Sequence, residues 1–389
     1  MRTERHQPLL DGATAGGSRF NILHVLRAPV GGLFRHVVDL ARGQAARGYR
    51  VGVIVDRTTG GARAQAVLAD LAPALALGVT RLPMSRRIGL SDVAVVARVG
   101  RLAAELRADV LHGHGAKGGA YARLAYGTAA VRAYTPHGGS LHYRWGSPAG
   151  LVYLALERLM LPRTDLILFE SAYGRGVFEA KLGNPGQRAR VVHNGVTAAE
   201  FEPIVPDPQA SDLVFVGELR MLKGVDILIS AIASLKRNGR RVTATIAGEG
   251  RDRMAFEAAA RAQGVASEVK FVGAKPARAA FPLGRLLVVP SRAESLPYVV
   301  LEAAAGGLPI IAARVGGIAE ILGPEFPGLV PPEDAAELAQ AIDLALAQLA
   351  ERRAAATVLK TRVRDGFSTD TMTDAVLAAY HDAMQRPRG

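Results

Sequence analysis

The 389-residue chain contains no cysteine. Disulfides and thiolate metal sites are therefore excluded, and a reducing compartment is the natural fit. It also contains no Asp-x-Asp, the carboxylate pair that holds a divalent cation on many bound diphosphates. No run reaches the roughly 20 apolar residues needed to cross a bilayer. The best candidate, residues 151–162, is too short and carries Glu157 and Arg158. Residues 1–18 are polar and Gly-rich and lack the apolar segment of a secretory signal, so the expectation is a cytoplasmic protein. Aromatic residues make up only 5% of the chain and do not interleave with its basic residues, which argues against nucleic-acid binding.

What is present is globular: 49% hydrophobic and 21% charged residues. The length exceeds one ordinary core and predicts two domains. The net charge of +13 is uneven. Residues 1–206 hold 26 Lys and Arg against 14 Asp and Glu, whereas residues 207–389 hold 22 against 21. The first half should therefore face something anionic: nucleic acid, an acidic lipid surface or a phosphorylated substrate.

Short apolar strands alternate with helical patterns twice along the chain. The first series has strands at 21–26, 50–55, 109–112, 130–135, 166–170 and 189–193, with helices at 34–46, 92–107, 148–161 and 172–181. A segment with three prolines, 201–211, breaks the rhythm and reads as a linker. The second series has strands at 213–216, 242–247, 269–272, 286–289 and 309–312, with helices at 225–236, 254–263 and 298–305. Such alternation predicts two parallel-sheet, Rossmann-like α/β domains. The expected divisions are a tail at 1–18, an N-terminal domain at 19–200, the linker, a C-terminal domain at 212–370, and a last helix in 371–389 that packs away from its own domain.

Glu294 and Glu302 lie in Pro290-Ser-Arg-Ala-Glu-Ser-Leu-Pro-Tyr-Val-Val-Leu-Glu302. The pattern puts Glu294 in a loop at the carboxyl end of a strand and Glu302 one turn inside the next helix. Ligands collect at that edge of an open α/β sheet, where free helix N–H groups attract phosphate. A carboxylate accepts two hydroxyl hydrogen bonds at once, which suits a sugar-phosphate compound. Gly31-Gly32 forms a glycine turn between the first strand and first helix, where backbone can approach an anion. Phe215-Val-Gly-Glu-Leu-Arg-Met-Leu-Lys-Gly224 places Lys223 and Arg220 after another strand. His137 follows a strand in Thr-Pro-His-Gly-Gly. His112-Gly-His-Gly-Ala-Lys-Gly-Gly119 contains a formal Gly-x-Gly-x-x-Gly, but no acidic residue follows at the spacing an NAD ribose requires. It reads instead as a cleft loop offering His114 and Lys117. Its two histidines do not imply zinc, because no further ligand cluster accompanies them in sequence.

In order and spacing these segments resemble glycosyltransferase family 4, retaining transferases of GT-B architecture with two facing Rossmann-like domains. The resemblance runs from Gly31 to Pro309 by motif and to the last helix by pattern. It implies that Glu302 binds the nucleotide ribose and Glu294 the donor sugar beside its reacting carbon. It further implies that Ser295, Leu296, Pro297 and Tyr298 offer backbone to the diphosphate, with Lys223 as its cation. His137 would touch the sugar's primary hydroxyl, and Gly32 would face the donor phosphate across the cleft. Glu218 stands where the family carries an arginine, and Arg220 is the candidate replacement. His193-Asn-Gly-Val196 and Val315-Gly-Gly-Ile-Ala-Glu320 match architectural turns. The implied activity is sugar transfer from a nucleotide-diphosphate sugar, with no metal and no cofactor beyond the donor. The expected acceptor is a glycan or polyprenyl-diphosphate-linked intermediate of surface-polysaccharide synthesis. The basic first half and the apolar segment 144–162 suggest peripheral contact with an anionic membrane. Two alternatives remain open: a sugar-nucleotide 2-epimerase of the same architecture, and a non-catalytic partner subunit.

Overall fold

The computed structural model describes residues 19–386. The N-terminal sheet comprises β1 (Asn21–Leu26), β2 (Arg50–Asp56), β3 (Gly78–Leu82), β4 (Val110–His114), β5 (Val131–Thr135), β6 (Leu166–Phe169) and β7 (Ala189–Val191). Their order is β3-β2-β1-β4-β5-β6-β7. The second sheet holds β8 (Ser211–Val216), β9 (Ala244–Ala247), β10 (Val269–Phe271), β11 (Gly284–Val289), β12 (Ile310–Ala313) and β13 (Leu329–Val330), ordered β10-β9-β8-β11-β12-β13. Every pairing within the two sheets is parallel. This is the two-sheet α/β arrangement expected.

Parallel strands covered on both faces are mostly apolar, and the central ones are, apart from the buried histidines His24 of β1 and His112 and His114 of β4. β1, β4, β8 and β11 lie in cores built from Val, Ile, Leu and Ala. Strand order reverses at β1/β4 in one sheet and at β8/β11 in the other. A crevice opens at each such point, where neighbouring loops leave in opposite directions. The Gly31-Gly32 turn, the Lys223 turn and the Glu294 loop follow β1, β8 and β11 respectively.

Several elements depart from the sequence reading. Residues 113–119 are not a cleft loop: they are the end of β4 and the start of a buried helix, Gly115–Leu124. The glycines serve close packing there. A Cβ on Gly118 would lie 2.4 Å from the Val25 carbonyl oxygen, and one on Gly119 would lie 2.3 Å from the Tyr134 ring. The helix Gly61–Leu71 and strand β3 complete the first unit. The Ala-rich helices Ala335–Ala347 and Leu349–Gly366 follow β13, and Leu359 and Val363 of the latter pack into the core beside Leu301.

The last helix, Thr369–Gln385, inserts Met372, Val376, Leu377 and Tyr380 into the core of the N-terminal sheet. Burying side chains of this size contributes about 1.5–3 kcal/mol each. Gly43 permits the approach, since a Cβ there would sit 2.4 Å from Thr373 Oγ1. The Tyr380 hydroxyl lies 2.6 Å from His112 Nδ1.

Candidate active site

The loops after β8 and β11 are locked into one surface. Gly224 adopts a left-handed conformation (φ 71°), and a Cβ there would fall 1.9 Å from the Pro290 carbonyl oxygen. Only glycine lets the turn Met221–Lys223 lie against the 290 loop. Arg292 adds a two-pronged ion pair to Asp226, at 2.9 and 2.6 Å, and its backbone N–H donates to the Leu222 carbonyl. The result is that Lys223 Nζ reaches both Glu294 oxygens, at 2.7 and 2.9 Å, while Ser291 Oγ donates to Glu294 at 2.7 Å. Gly316, at φ 58°, passes so close that a Cβ would meet the Glu294 carbonyl oxygen at 2.0 Å. The neighbouring Gly317 N–H donates to the Ser295 carbonyl at 2.6 Å. The Val315-Gly-Gly turn is the support under the Glu294 loop.

Opposite stands a histidine–carboxylate pair from the N-terminal sheet. His137 occupies a left-handed position (φ 51°) directly after β5, a conformation uncommon for a non-glycine residue. Its Nδ1 lies 2.7 Å from Glu170 Oε1, at the end of β6. Burial works to raise the Glu170 pKa, but His137, and then His36 and Asn194, outweigh it and hold the carboxyl at about 2. Asn194 is central to this arrangement. It donates to Glu170 and to the Leu296 carbonyl, and accepts from His36 Nδ1 at 2.9 Å. The loop around His137 is braced through Ser140, which donates to the buried Glu157; that carboxylate also binds Tyr134 and the fully buried Arg123.

A cavity of about 370 Å³ separates the two sets. Gly31, Gly32, His137, Glu170 and Asn194 line one side, and Glu218, Lys223, Glu294 and residues 295–299 line the other. Backbone approaches it at Gly32, whose Cβ would lie 3.3 Å from the Tyr298 ring. A second cavity of similar volume continues from His137, Glu170, Glu294 and Ser295 toward His142, Tyr173 and Lys181.

Glu302 lies behind Tyr298, on a third cavity of about 540 Å³ that Arg35, Arg63 and residues 276–278 also line. Arg35 donates to both Glu302 and Glu200, pairs with Asp39 at 3.2 Å, and stacks on the Tyr298 ring 4.4 Å from its centroid. Three carboxylates thus share one guanidinium. Burial raises the Glu302 pKa; Arg35 opposes this and Glu200 reinforces it, leaving Glu302 at about 7.

The structure thus places Gly32, His137, Lys223, Glu294, Ser295, Leu296, Pro297 and Tyr298 on one cavity and Glu302 on its neighbour. Arg220 pairs with Glu218 at 3.6 Å and does not line the first cavity. Two residues are not where the sequence reading put them. Lys117 does not face the cleft: the buried helix carries it away, and its Nζ is held by Asp92 at 2.7 and 2.9 Å and by the Arg87 carbonyl. His114 offers nothing to an acceptor, because it is buried between His24 and His137 at 3.0 and 3.1 Å. Sequence reasoning missed Arg35, Glu170 and His36, and it took Asn194 and Glu320 as architectural or open. Glu320 accepts from the Ala172 and Tyr173 N–H groups and pairs with His193 at 3.0 Å, clasping the helix after β6 to the second unit.

Two family models match the chain. One, described as Glycosyltransferase Family 4, covers residues 30–200; the other, described as Glycosyl transferases group 1, covers residues 210–348. Among curated proteins the chain is 26% identical over 385 residues to a glycogen synthase of Mycobacterium tuberculosis, covering 92% of this chain and 93% of that protein. It is 29% identical over 254 residues to a D-inositol 3-phosphate glycosyltransferase of Segniliparus rotundus, covering 61% and 57%. Among solved structures, Anabaena Alr3699/HepE in complex with UDP-glucose superposes with TM-score 0.78 at 20% identity, covering 94% of this chain and all of that one. A sucrose-phosphate synthase from Thermosynechococcus elongatus gives 0.77 at 21%. At these identities the superpositions establish the GT-B fold.

Proposed function

The chain belongs to the group 1, family 4 glycosyltransferases, and from that premise we propose that it transfers a sugar, with retention of configuration, from a nucleotide-diphosphate sugar to an acceptor hydroxyl. One observation carries this reading: the Lys223–Glu294 pair faces the His137–Glu170 pair across a cavity at the switch points of both sheets. A diphosphate entering there would take over Lys223, whose ammonium offsets the charge that develops on the leaving group. Freed from Lys223, Glu294 would accept sugar hydroxyls beside the reacting carbon, still oriented by Ser291. The start of the helix Tyr298–Ala305 adds backbone N–H groups toward the phosphates. His137, oriented by Glu170, stands on the opposite wall, where the sugar's primary hydroxyl would lie. The nucleoside fits the Glu302 cavity once Arg35 gives way to ribose hydroxyls.

Among the described residues that line the cavity, no side chain is poised as a nucleophile independent of these roles. The acceptor hydroxyl would attack from the face the diphosphate leaves, and a phosphate oxygen would take its proton. Glu294 positions and stabilises without forming a covalent bond. UDP-glucose in the HepE structure supports a nucleotide-sugar donor by analogy of fold.

For the acceptor we favour a lipid-diphosphate-linked glycan at an anionic membrane face. The helix Pro148–Met160 leaves Leu151, Val152 and Leu159 exposed beside Arg158 and Arg163. None of the described helices is long and apolar enough to cross a membrane, so contact would be peripheral. The test is product analysis with purified protein, a nucleotide-sugar panel and lipid-linked or free acceptors. Transfer with retention supports the proposal; conversion of the donor without an acceptor would replace it with epimerisation.

A further inference from the structure

Five of the nine histidines, His24, His36, His112, His114 and His137, converge in one largely buried cluster under the cavity. Counting their protons exposes a gap. Asn194 Oδ1 takes the His36 Nδ1 proton, which leaves His36 Nε2, and that atom is buried with no partner among the described residues. Glu170 takes the His137 Nδ1 proton, which leaves His137 Nε2. As the Gln44 amide stands, with Oε1 2.8 Å from His24 Nε2 and its own Nε2 buried without a partner among the described residues, His24 Nδ1 accepts from His114 Nε2 and His114 Nδ1 is left; the opposite amide orientation reverses this chain. In the first orientation His114 Nδ1 and His137 Nε2 present lone pairs to each other at 3.1 Å, an arrangement that a proton or a metal ion between them relieves. The ring nitrogens of His36, His114 and His137 all lie within 4.8 Å of one another.

We propose that His36 Nε2, His114 Nδ1 and His137 Nε2 form a binding site for Zn²⁺ or a similar borderline divalent ion. Tetrahedral zinc with nitrogens at about 2.0–2.1 Å sets its ligands roughly 3.3 Å apart. The His114–His137 spacing already matches, and a modest ring rotation brings in His36. Each ligand's other nitrogen is held by a separate partner: Asn194, His24 or Glu170. Such outer contacts fix the tautomer and aim the ligating nitrogen. His137 also lines the cavity, so a fourth ligand would reach the ion from that side. The ion is not part of the transfer chemistry, in which Lys223 supplies the positive charge. On the proposed donor reading, it would hold His137 away from the sugar and so inhibit.

The full chain, stripped with chelator, is titrated with ZnCl₂ by calorimetry and with Co²⁺ by visible absorption, without substrate. One ion per chain is expected, with the intense visible bands of a four-coordinate cobalt site. His36→Gln should weaken zinc binding at least tenfold, whereas His381→Gln, on the last helix, should leave it unchanged. Absence of stoichiometric binding, or of those cobalt bands in the wild-type protein, means that a proton alone fills the gap and overturns the proposal. So does unchanged affinity in folded His36→Gln. Should His36→Gln fail to fold, the wild-type cobalt spectrum decides the matter. None of these readouts depends on transfer activity, so the site and the proposed function stand or fall separately.

Discussion

Glu302→Gln tests the electrostatics of the Arg35 cluster. Glu302 shares Arg35 with Glu200 and Asp39, and its side chain is only 16% exposed. Its folded pKa of about 7 lies above the ordinary 4.5, so the folded chain binds more protons than the unfolded chain between those values. Stability contributed by this group is therefore fully present below about pH 4.5 and is lost as pH rises through about 7. The difference corresponds to about 3 kcal/mol; residual exposure and small movements of Arg35 should reduce it to about 2. Glutamine keeps the hydrogen bond to Arg35 but carries no charge at any pH. The variant should therefore match the wild type near pH 4 and exceed it by about 2 kcal/mol at pH 8. Urea unfolding at the two pH values reads this directly. A variant less stable than wild type by a similar amount at both pH values would show that the Arg35 attraction outweighs burial, and would refute the reasoning.

Lys223→Ala removes two charge-assisted contacts and the cation facing the proposed diphosphate. Nucleoside-diphosphate affinity should fall about 10- to 100-fold, and calorimetry showing no loss would reject the assignment. Gly224→Ala forces a Cβ to within 1.9 Å of the Pro290 carbonyl at a left-handed position, so a loss of about 2–4 kcal/mol is expected in thermal or urea unfolding. Liposome flotation should show binding to anionic vesicles that weakens with salt and with Leu151→Ser/Leu159→Ser. No binding by the wild type would point to an acceptor free in solution.

The legible parts of the site were those written locally. Lys223, Glu294 and Glu302 each sit at a fixed offset from a strand end or helix start, and a strand–loop–helix pattern fixes such offsets. The partners of these residues were not legible. Arg35 meets a glutamate 267 positions away, and Asn194 bridges His36 across 158. No local pattern encodes such distances. His114 and Lys117 failed for a different reason. A glycine-rich stretch signals either a loop or a helix pressed against a sheet, and only the carbonyl of Val25 over Gly118 settles which. The signal that could have exposed the histidine cluster was recurrence of His within or just after strands, at 24, 112, 114 and 137. It becomes meaningful only when strand order places β1 beside β4 and β4 beside β5.

The central claim is that the Glu294 loop holds the donor sugar at its reacting carbon, separately from the nucleotide. Glu294→Gln measures it most directly, because the amide preserves size and the Ser291 contact while removing the charge. The account predicts transfer reduced about 100-fold or more, with nucleoside-diphosphate affinity nearly unchanged. Transfer at the wild-type rate, or nucleotide affinity lost in step with transfer, would contradict it.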